Sequence, residues 1–213
     1  MKIVLFGATG MIGSRILREA LSRGHKVTAV SRNLRALEKL DPSVDREAGD
    51  ILEAADVARV AAGHDAVVSA VGPSHQGGDP GMLIESVRSL HEGLLRAKVR
   101  RLIVVGGGGS LEVAPGKLLM DTPDFPAAWK PLATAAGEAL KEIRKIDDLD
   151  WSYFSPAGFI EPGTKTGRYR TGLEQLVVDS AGKSYISAED YAVALLDELE
   201  KPSHIRMRFT VAY

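Results

Sequence analysis

Short runs of apolar, β-branched residues alternate along the chain with longer stretches whose apolar positions recur every three or four residues. The runs at 2–6, 26–30, 44–48, 66–70, 101–105 and 151–155 predict strands. Ala66-Val67-Val68-Ser69-Ala70 and Leu102-Ile103-Val104-Val105 are apolar almost throughout, as strands covered by helices on both faces must be. The strands of an antiparallel sandwich would alternate more. Between the runs, Ile12, Ile16, Leu17 and Leu21 form one helical stripe, Leu83, Val87, Leu90 and Leu94 a second, and Leu132, Ala136, Leu140 and Ile143 a third. A later helix starts at Ser187, whose hydroxyl can cap it with Asp190 following in the first turn, and carries Tyr191, Ala194, Leu195 and Leu199. Met207 to Ala212 reads as a last strand. This order predicts one α/β domain over residues 1–213 built on a doubly wound parallel sheet, with no internal repeat and no second core.

Two segments break the alternation, 106–130 and 156–184, both rich in Gly and Pro. Each follows the carboxyl end of a predicted strand. Ligands of open α/β sheets bind at that edge, so the two connections read as walls of an acceptor site rather than linkers.

Composition narrows the chemistry. The 213 residues are 45% hydrophobic and 26% charged with a formal charge of -1, so no general basic field exists to hold a nucleic-acid backbone. Cysteine is absent, which excludes disulfide scaffolds, thiolate metal sites and Cys nucleophiles and fits a cytoplasmic protein. No apolar run approaches the roughly 18 residues of a membrane-spanning helix, and the run Ile3-Val4-Leu5-Phe6 that stops at Gly7 reads as a strand rather than a signal peptide. The expected partner is therefore a small molecule, not nucleic acid or membrane, bound by a monomer or small homo-oligomer.

The first strand runs into Gly7-Ala8-Thr9-Gly10-Met11-Ile12-Gly13, which opens directly into the first helical stripe. A dinucleotide diphosphate needs a turn tight enough to aim backbone N–H groups and the positive end of a helix at it, without a Cβ where backbone meets oxygen. Gly7 and Gly10 supply the turn and the approach, and Gly13 lets the helix lie close to the sheet. All seven residues are candidate cofactor contacts in a Rossmann fold. The second strand ends in Ser31-Arg32-Asn33, where an NAD site would carry an acid for the ribose 2'-hydroxyl. A cation flanked by hydroxyl and amide donors suits a 2'-phosphate, which predicts NADP(H) over NAD(H), with Arg32 on the phosphate. The alternative is an Arg that merely faces water.

The spacing of these glycines, Leu149-Asp150-Trp151-Ser152-Tyr153 before Ser155-Pro156, and the closing Glu189-Asp190-Tyr191-Ala192 resemble the short-chain dehydrogenase/reductase superfamily, in its atypical NAD(P)H-binding branch with biliverdin reductase B and bacterial NADH-flavin-reductase-like proteins. The resemblance spans nearly the whole chain. It implies that Asp50, with Ile51, meets the adenine after the third strand, unless Asp50 only caps the next helix. It likewise takes Val71, Gly72 and Pro73 past the adenosine ribose, Gly106 and Gly107 to the nicotinamide end, and Pro156, Ala157 and Phe159 or Ile160 along the nicotinamide.

One familiar device is missing. Reduction of simple carbonyls in this superfamily uses Tyr-x-x-x-Lys as the proton source, and no Tyr here has a Lys four residues on. The corresponding helix reads Pro131-Leu132-Ala133-Thr134-Ala135-Ala136-Gly137-Glu138. An acceptor whose reduced form delocalises charge, such as a flavin (FMN or FAD) or a linear tetrapyrrole, takes hydride without a fixed acid. The run Gly106-Gly107-Gly108-Gly109-Ser110 would leave room for its flat ring, with Ser110 as the candidate catalytic contact or simply a turn residue. Trp129, Tyr169 and Arg170 would cap the acceptor or pack the connections, and His75 would be a proton donor or a loop residue. No His, Asp and Glu cluster predicts a metal, and no Gly-x-Ser-x-Gly elbow predicts a serine hydrolase. The expected activity is hydride transfer from NADP(H) to a conjugated acceptor. A non-catalytic NADP(H) sensor and, more remotely, a nucleotide-sugar epimerase or dehydratase are the rivals.

Overall fold

A computed structural model describes residues 1–73 and 78–213 of the chain. Strands β1 (Lys2–Phe6), β2 (Lys26–Ser31), β3 (Asp45–Ala48), β4 (Ala66–Ser69) and β5 (Arg101–Val105) form in the predicted order. A hairpin of β6 (Glu112–Ala114) and β7 (Lys117–Leu118) follows, then β8 (Asp150–Ser155), β9 (Phe159–Glu161), β10 (Arg170–Gly172), β11 (Tyr185–Ser187) and β12 (Met207–Ala212). The main sheet runs β10-β12-β8-β5-β4-β1-β2-β3, with every neighbour parallel except β10 on β12. The chain starts in the middle, winds out to β3, and returns to the other side of β1. The carboxyl ends of β1 and β4 therefore diverge at a switch point, where such sheets open a crevice.

Helices α1 (Met11–Ser22), α2 (Ala54–Ala61), α3 (Met82–Ala97), α4 (Lys130–Ile143) and α5 (Ala188–Glu200) cover the sheet. Strand alternation decides which residues meet which layer. Ile3 and Leu5 join Ile16, Leu17 and Ala20 of α1 and Tyr191 and Leu195 of α5 on one face. Val4 and Phe6 join Val57 of α2, Val87, Leu90 and Leu94 of α3 and Leu140 of α4 on the other.

The predicted stripes bury as expected on α1 and α3, and Ser187 Oγ accepts the capping bond from Asp190 N at 3.0 Å. Leu132 departs from its stripe: it is 41% exposed in the first turn of α4, while Ala133 and Ala136 turn inward. Small side chains let this helix lie close, because Gly107 and Gly109 press against Ala136 and Ala133. Helix α2 is the helix expected after Asp50, and it buries Val57, Val60 and Ala61. Both long connections carry secondary structure of their own: β6 and β7 lie in the first, β9 and β10 in the second, and β11 begins just past the latter's predicted end and pairs with β9.

Candidate dinucleotide site

The Gly7 turn stands where β1 passes into α1, and the three glycines do different physical work. Gly7 has φ 83, and a Cβ there would sit 2.4 Å from the carbonyl oxygen of Ala70, which follows β4. A Cβ on Gly13 would lie 2.0 Å from the Gly7 carbonyl oxygen, so the first turn of α1 presses directly on the turn that precedes it. Gly10 is different: its only near neighbour would be the Gly7 oxygen at 3.3 Å, and its open side faces the crevice. Among the described residues no side chain caps α1, and no acid stands in its first turn. The first N–H groups of a helix have no partner within it, and the positive end of its dipole adds to them. Gly10, the residue before the first turn of α1, lines a cleft of about 540 Å³, which puts that helix end at the cleft wall.

Along that cleft lie Gly7, Ala8, Thr9 and Gly10 from the turn, Ser31 and Arg32 from the end of β2, Asp50 and Ile51 after β3, and Val71 and Gly72 after β4. Four connections that are remote in sequence thus converge on one concavity. The Arg32 side chain is exposed and forms no hydrogen bond or ion pair among the described residues. Ser31 Oγ accepts from Asn33 N at 3.2 Å, which shapes the turn beside it. Asp50 is partly committed: its Oδ1 accepts from Leu52 N at 3.0 Å, although the residue still lines the cleft.

Other predicted contacts are placed elsewhere. Asn33 Oδ1 accepts from Arg35 N at 3.1 Å, capping the short 3-10 helix Leu34–Leu37, and the residue does not line the cleft. Met11 is half-exposed at the start of α1, Ile12 packs toward the α1–α5 core, and Gly13 is buried against the turn. Pro73 stands just outside the lining, and His75 lies outside the described residues.

The glycine run after β5 turns out to admit protein rather than an open space. A Cβ on Gly106 would lie 2.0 Å from the ring of Tyr153, one on Gly107 2.8 Å from the Ala136 methyl, and one on Gly108 2.9 Å from the Pro156 carbonyl oxygen. Pro156 and Ala157 are buried beneath this loop. Ser110 is tied down as well, its Oγ accepting from Arg208 Nη2 at 3.1 Å and its carbonyl from Nη1 at 2.9 Å. The same guanidinium, buried on β12, donates to Ser155 Oγ at 3.0 Å and approaches Glu174 at 3.4 Å. Arg208 therefore fastens the ends of β5 and β8 and the second long connection together.

Tyr153 is fully buried, its hydroxyl donating to the Ala136 carbonyl at 2.7 Å, and burial pushes its pKa up to about 12. It is thus a structural phenol rather than an available acid. Tyr169 gives its hydroxyl to Asp197 of α5 and Arg170 donates to the Val178 and Tyr213 carbonyls, so both pack the connection. Trp129 is 51% exposed and stands edge-on to Phe125. Phe159 also turns away from the cleft, into an aromatic recess with Tyr185 and Tyr213.

Leu52, Gly78, Asp79 and Met82 line the cleft without having been anticipated. Asp79 and Met82 come from the far end of the β4–α3 connection, where Gly77-Gly78-Asp79-Pro80 carried the same Gly, Asp and Pro signal that marked the two longer segments.

The second connection is pinned at the amino end of α5. Asp190 accepts from Thr166 N at 2.9 Å, Thr166 Oγ1 at 2.6 Å and Gly167 N at 2.7 Å, and Tyr213 Oη lies 2.6 Å away. Burial opposes the charge, but the bonds from Thr166, Tyr213 and Gly167 outweigh it and hold the carboxyl below the usual Asp range. A depressed folded-state pKa contributes stability above the unfolded value of about 4, and that contribution disappears as pH falls through the folded value. Asp190→Asn should cost about 1.5–3 kcal/mol at pH 7 and flatten the loss of stability below pH 4, read as urea midpoints across that range.

Fold and cleft together define a dinucleotide-binding α/β protein of the Rossmann type, with a bare helix end at the switch point of a parallel sheet. The chain belongs to a family described as NAD(P)H-binding, whose match covers residues 7–202. This accords with the atypical branch of the short-chain dehydrogenase/reductase superfamily to which the sequence motifs are similar. Among solved structures, one titled provisionally as an exported protein from Burkholderia pseudomallei is 48% identical, with both chains covered fully and a TM-score of 0.91. A provisionally named epimerase from Bacteroides thetaiotaomicron is 42% identical over 100% of this chain and 96% of that one, with a TM-score of 0.90. A provisionally named NADH-flavin reductase from Streptococcus pneumoniae is 35% identical over 100% and 99%, with a TM-score of 0.87. Among the described residues no helix is long and apolar enough to cross a membrane, and no group of three or more His, Asp and Glu could hold a metal ion.

Proposed function

We propose that this protein is an NADPH-preferring reductase that delivers hydride to a flat conjugated acceptor such as FMN, FAD or a quinone, acting in the cytoplasm as a monomer or small homo-oligomer. The observation that carries the reading is one cleft lined by the start of α1 and by Arg32, which has no partner among the described residues, in a chain whose tyrosine nearest the glycine loop is sequestered. The residues fit the cofactor: Gly10 leaves the Cβ space a diphosphate oxygen needs, and no side-chain cap occupies the start of α1 among the described residues. Arg32 and Ser31 would take the 2'-phosphate, Asp50 the adenine, and Val71 and Gly72 the ribose.

When bound, reduced nicotinamide supplies two electrons and a hydrogen as hydride. The chain supplies position: Arg208 holds Ser110 and Ser155 in fixed relation at the carboxyl edge of the sheet. With Tyr153 hydrogen-bonded to helix α4 and raised in pKa, protonation of the product falls to solvent, which a flavin or quinone tolerates and a simple ketone does not. The Streptococcus pneumoniae relative's name supports the reductase reading. The epimerase reading lacks the Tyr and Lys that such chemistry uses.

Stopped-flow and steady-state NADPH oxidation with FMN, FAD and menadione should show turnover. Tight NADPH binding with no turnover on any of them would replace the reductase with a dinucleotide sensor, the reading that a sequestered tyrosine suits equally.

A further inference from the structure

At the same carboxyl edge of the sheet, on the side of β8 and β12, a recess of about 580 Å³ is walled by Phe159, Tyr185 and Tyr213. Its size suits one small ligand. The walls are held by backbone. Phe159 of β9 and Tyr185 of β11 are register partners, their ring centroids 6.2 Å apart and their planes within 27°. Tyr213 directly follows β12; its N–H donates to the Tyr185 carbonyl at 3.0 Å, and its ring centroid lies 5.6 Å from that of Tyr185. The Tyr213 hydroxyl is engaged inward, 2.6 Å from Asp190 Oδ2, which leaves the apolar body of the ring as lining. Phe159 is nonetheless 48% exposed, an aromatic ring held in a concave wall beside Tyr185.

The charged groups lining the recess are Glu161, Asp179 and Lys183, two carboxylates against one ammonium. Asp179 Oδ1 accepts from Ala181 N at 2.8 Å and Lys183 N at 2.9 Å, so the loop carrying two of these charges is internally ordered. A rim with that balance does not favour a doubly charged phosphate. It favours an uncharged ring whose faces stack on aromatic walls.

We propose that this recess seats the ring of the acceptor, a flat, uncharged conjugated system of the isoalloxazine or quinone class, against Phe159 and Tyr185. As an acceptor subsite it rests on the reductase reading, but its occupancy can be tested without turnover. The recess stands at the same carboxyl edge of the sheet as the dinucleotide cleft, beside the β8–β9 connection.

The test is a titration of the full-length protein into riboflavin, following quenching of flavin fluorescence, with no dinucleotide present. Wild type should quench and bind. Phe159→Ala should weaken binding about tenfold, Phe159→Trp should retain it, and NADPH affinity should be the same in all three, which certifies their fold. FMN should bind no more tightly than riboflavin. The proposal is overturned by a wild type that does not bind riboflavin, by equal affinity in Phe159→Ala, or by FMN binding much more tightly with the gain lost in Lys183→Gln. Riboflavin binding that depends on Phe159 without NADPH turnover would keep the subsite and remove the reductase. Turnover with an unchanged riboflavin KM in Phe159→Ala would keep the reductase and remove the subsite.

Discussion

Gly13→Ala should destabilise the protein by about 3 kcal/mol or more and abolish dinucleotide binding, because its methyl would meet the Gly7 carbonyl oxygen at 2.0 Å. The obstacle is backbone, so no rotamer change relieves it. Either α1 lifts from the sheet or the turn deforms, and each outcome moves the N–H groups that face the cleft. Gly10→Ala provides the contrast. Gly10 has φ -71 and ψ 169, a conformation open to alanine, and its Cβ would meet only the Gly7 oxygen at 3.3 Å. Its stability should stay within about 1 kcal/mol of wild type, since the lost freedom of the unfolded chain offsets a poorer helix cap. Its methyl, however, would stand where the diphosphate must approach. Thermal melts and calorimetric titration of both variants with NADPH separate the two roles. A Gly10→Ala protein that binds NADPH normally would show that the diphosphate does not approach this turn.

Arg32→Ala should weaken NADPH by about 1.5–3 kcal/mol, the value of a charge-assisted contact, or ~10- to 150-fold in Kd. NADH should be almost unaffected, because it lacks the 2'-phosphate that the guanidinium would meet. The effect should shrink at high salt, since the side chain is exposed and its pairing with a phosphate is screened. Arg32→Lys should recover part of the loss, a point charge replacing a two-pronged donor. Equal losses for both dinucleotides would assign Arg32 a structural part.

The parts of this protein that were legible in the sequence are those set by local chemistry. Apolar runs such as Leu102 to Val105 name a buried strand because only a sheet covered on both faces tolerates them. Gly7, Gly10 and Gly13 name the turn because each omits a Cβ for a reason that lies within a few residues or at the adjoining strand end. Ser187 names its helix start because the cap and its target are three residues apart. Strands β9 and β11, three residues each, were not legible, being too short for a period to show.

Other features depend on which distant segments the sheet brings together. Asn33 seemed a cofactor contact, but its oxygen caps the 3-10 helix after it and the residue does not line the cleft. The run Gly106 to Gly109 seemed an opening, yet its missing side chains make room for Tyr153, Pro156 and the alanines of α4. Ser110 seemed free to meet an acceptor, but Arg208, almost a hundred positions further on, holds it from the neighbouring end of the sheet.

Local pattern thus determined where the main parallel strands, the glycine turn after β1 and the Arg32 that follows β2 fall along the chain, since backbone conformation and short-range hydrogen bonding decide these. Only the tertiary structure decided that Arg208 locks the edge of the sheet and that Phe159 faces Tyr185 in a recess of its own. Contacts between residues so far apart in the chain leave no periodic trace, and whether a side chain meets ligand, water or protein depends on what packing places opposite it.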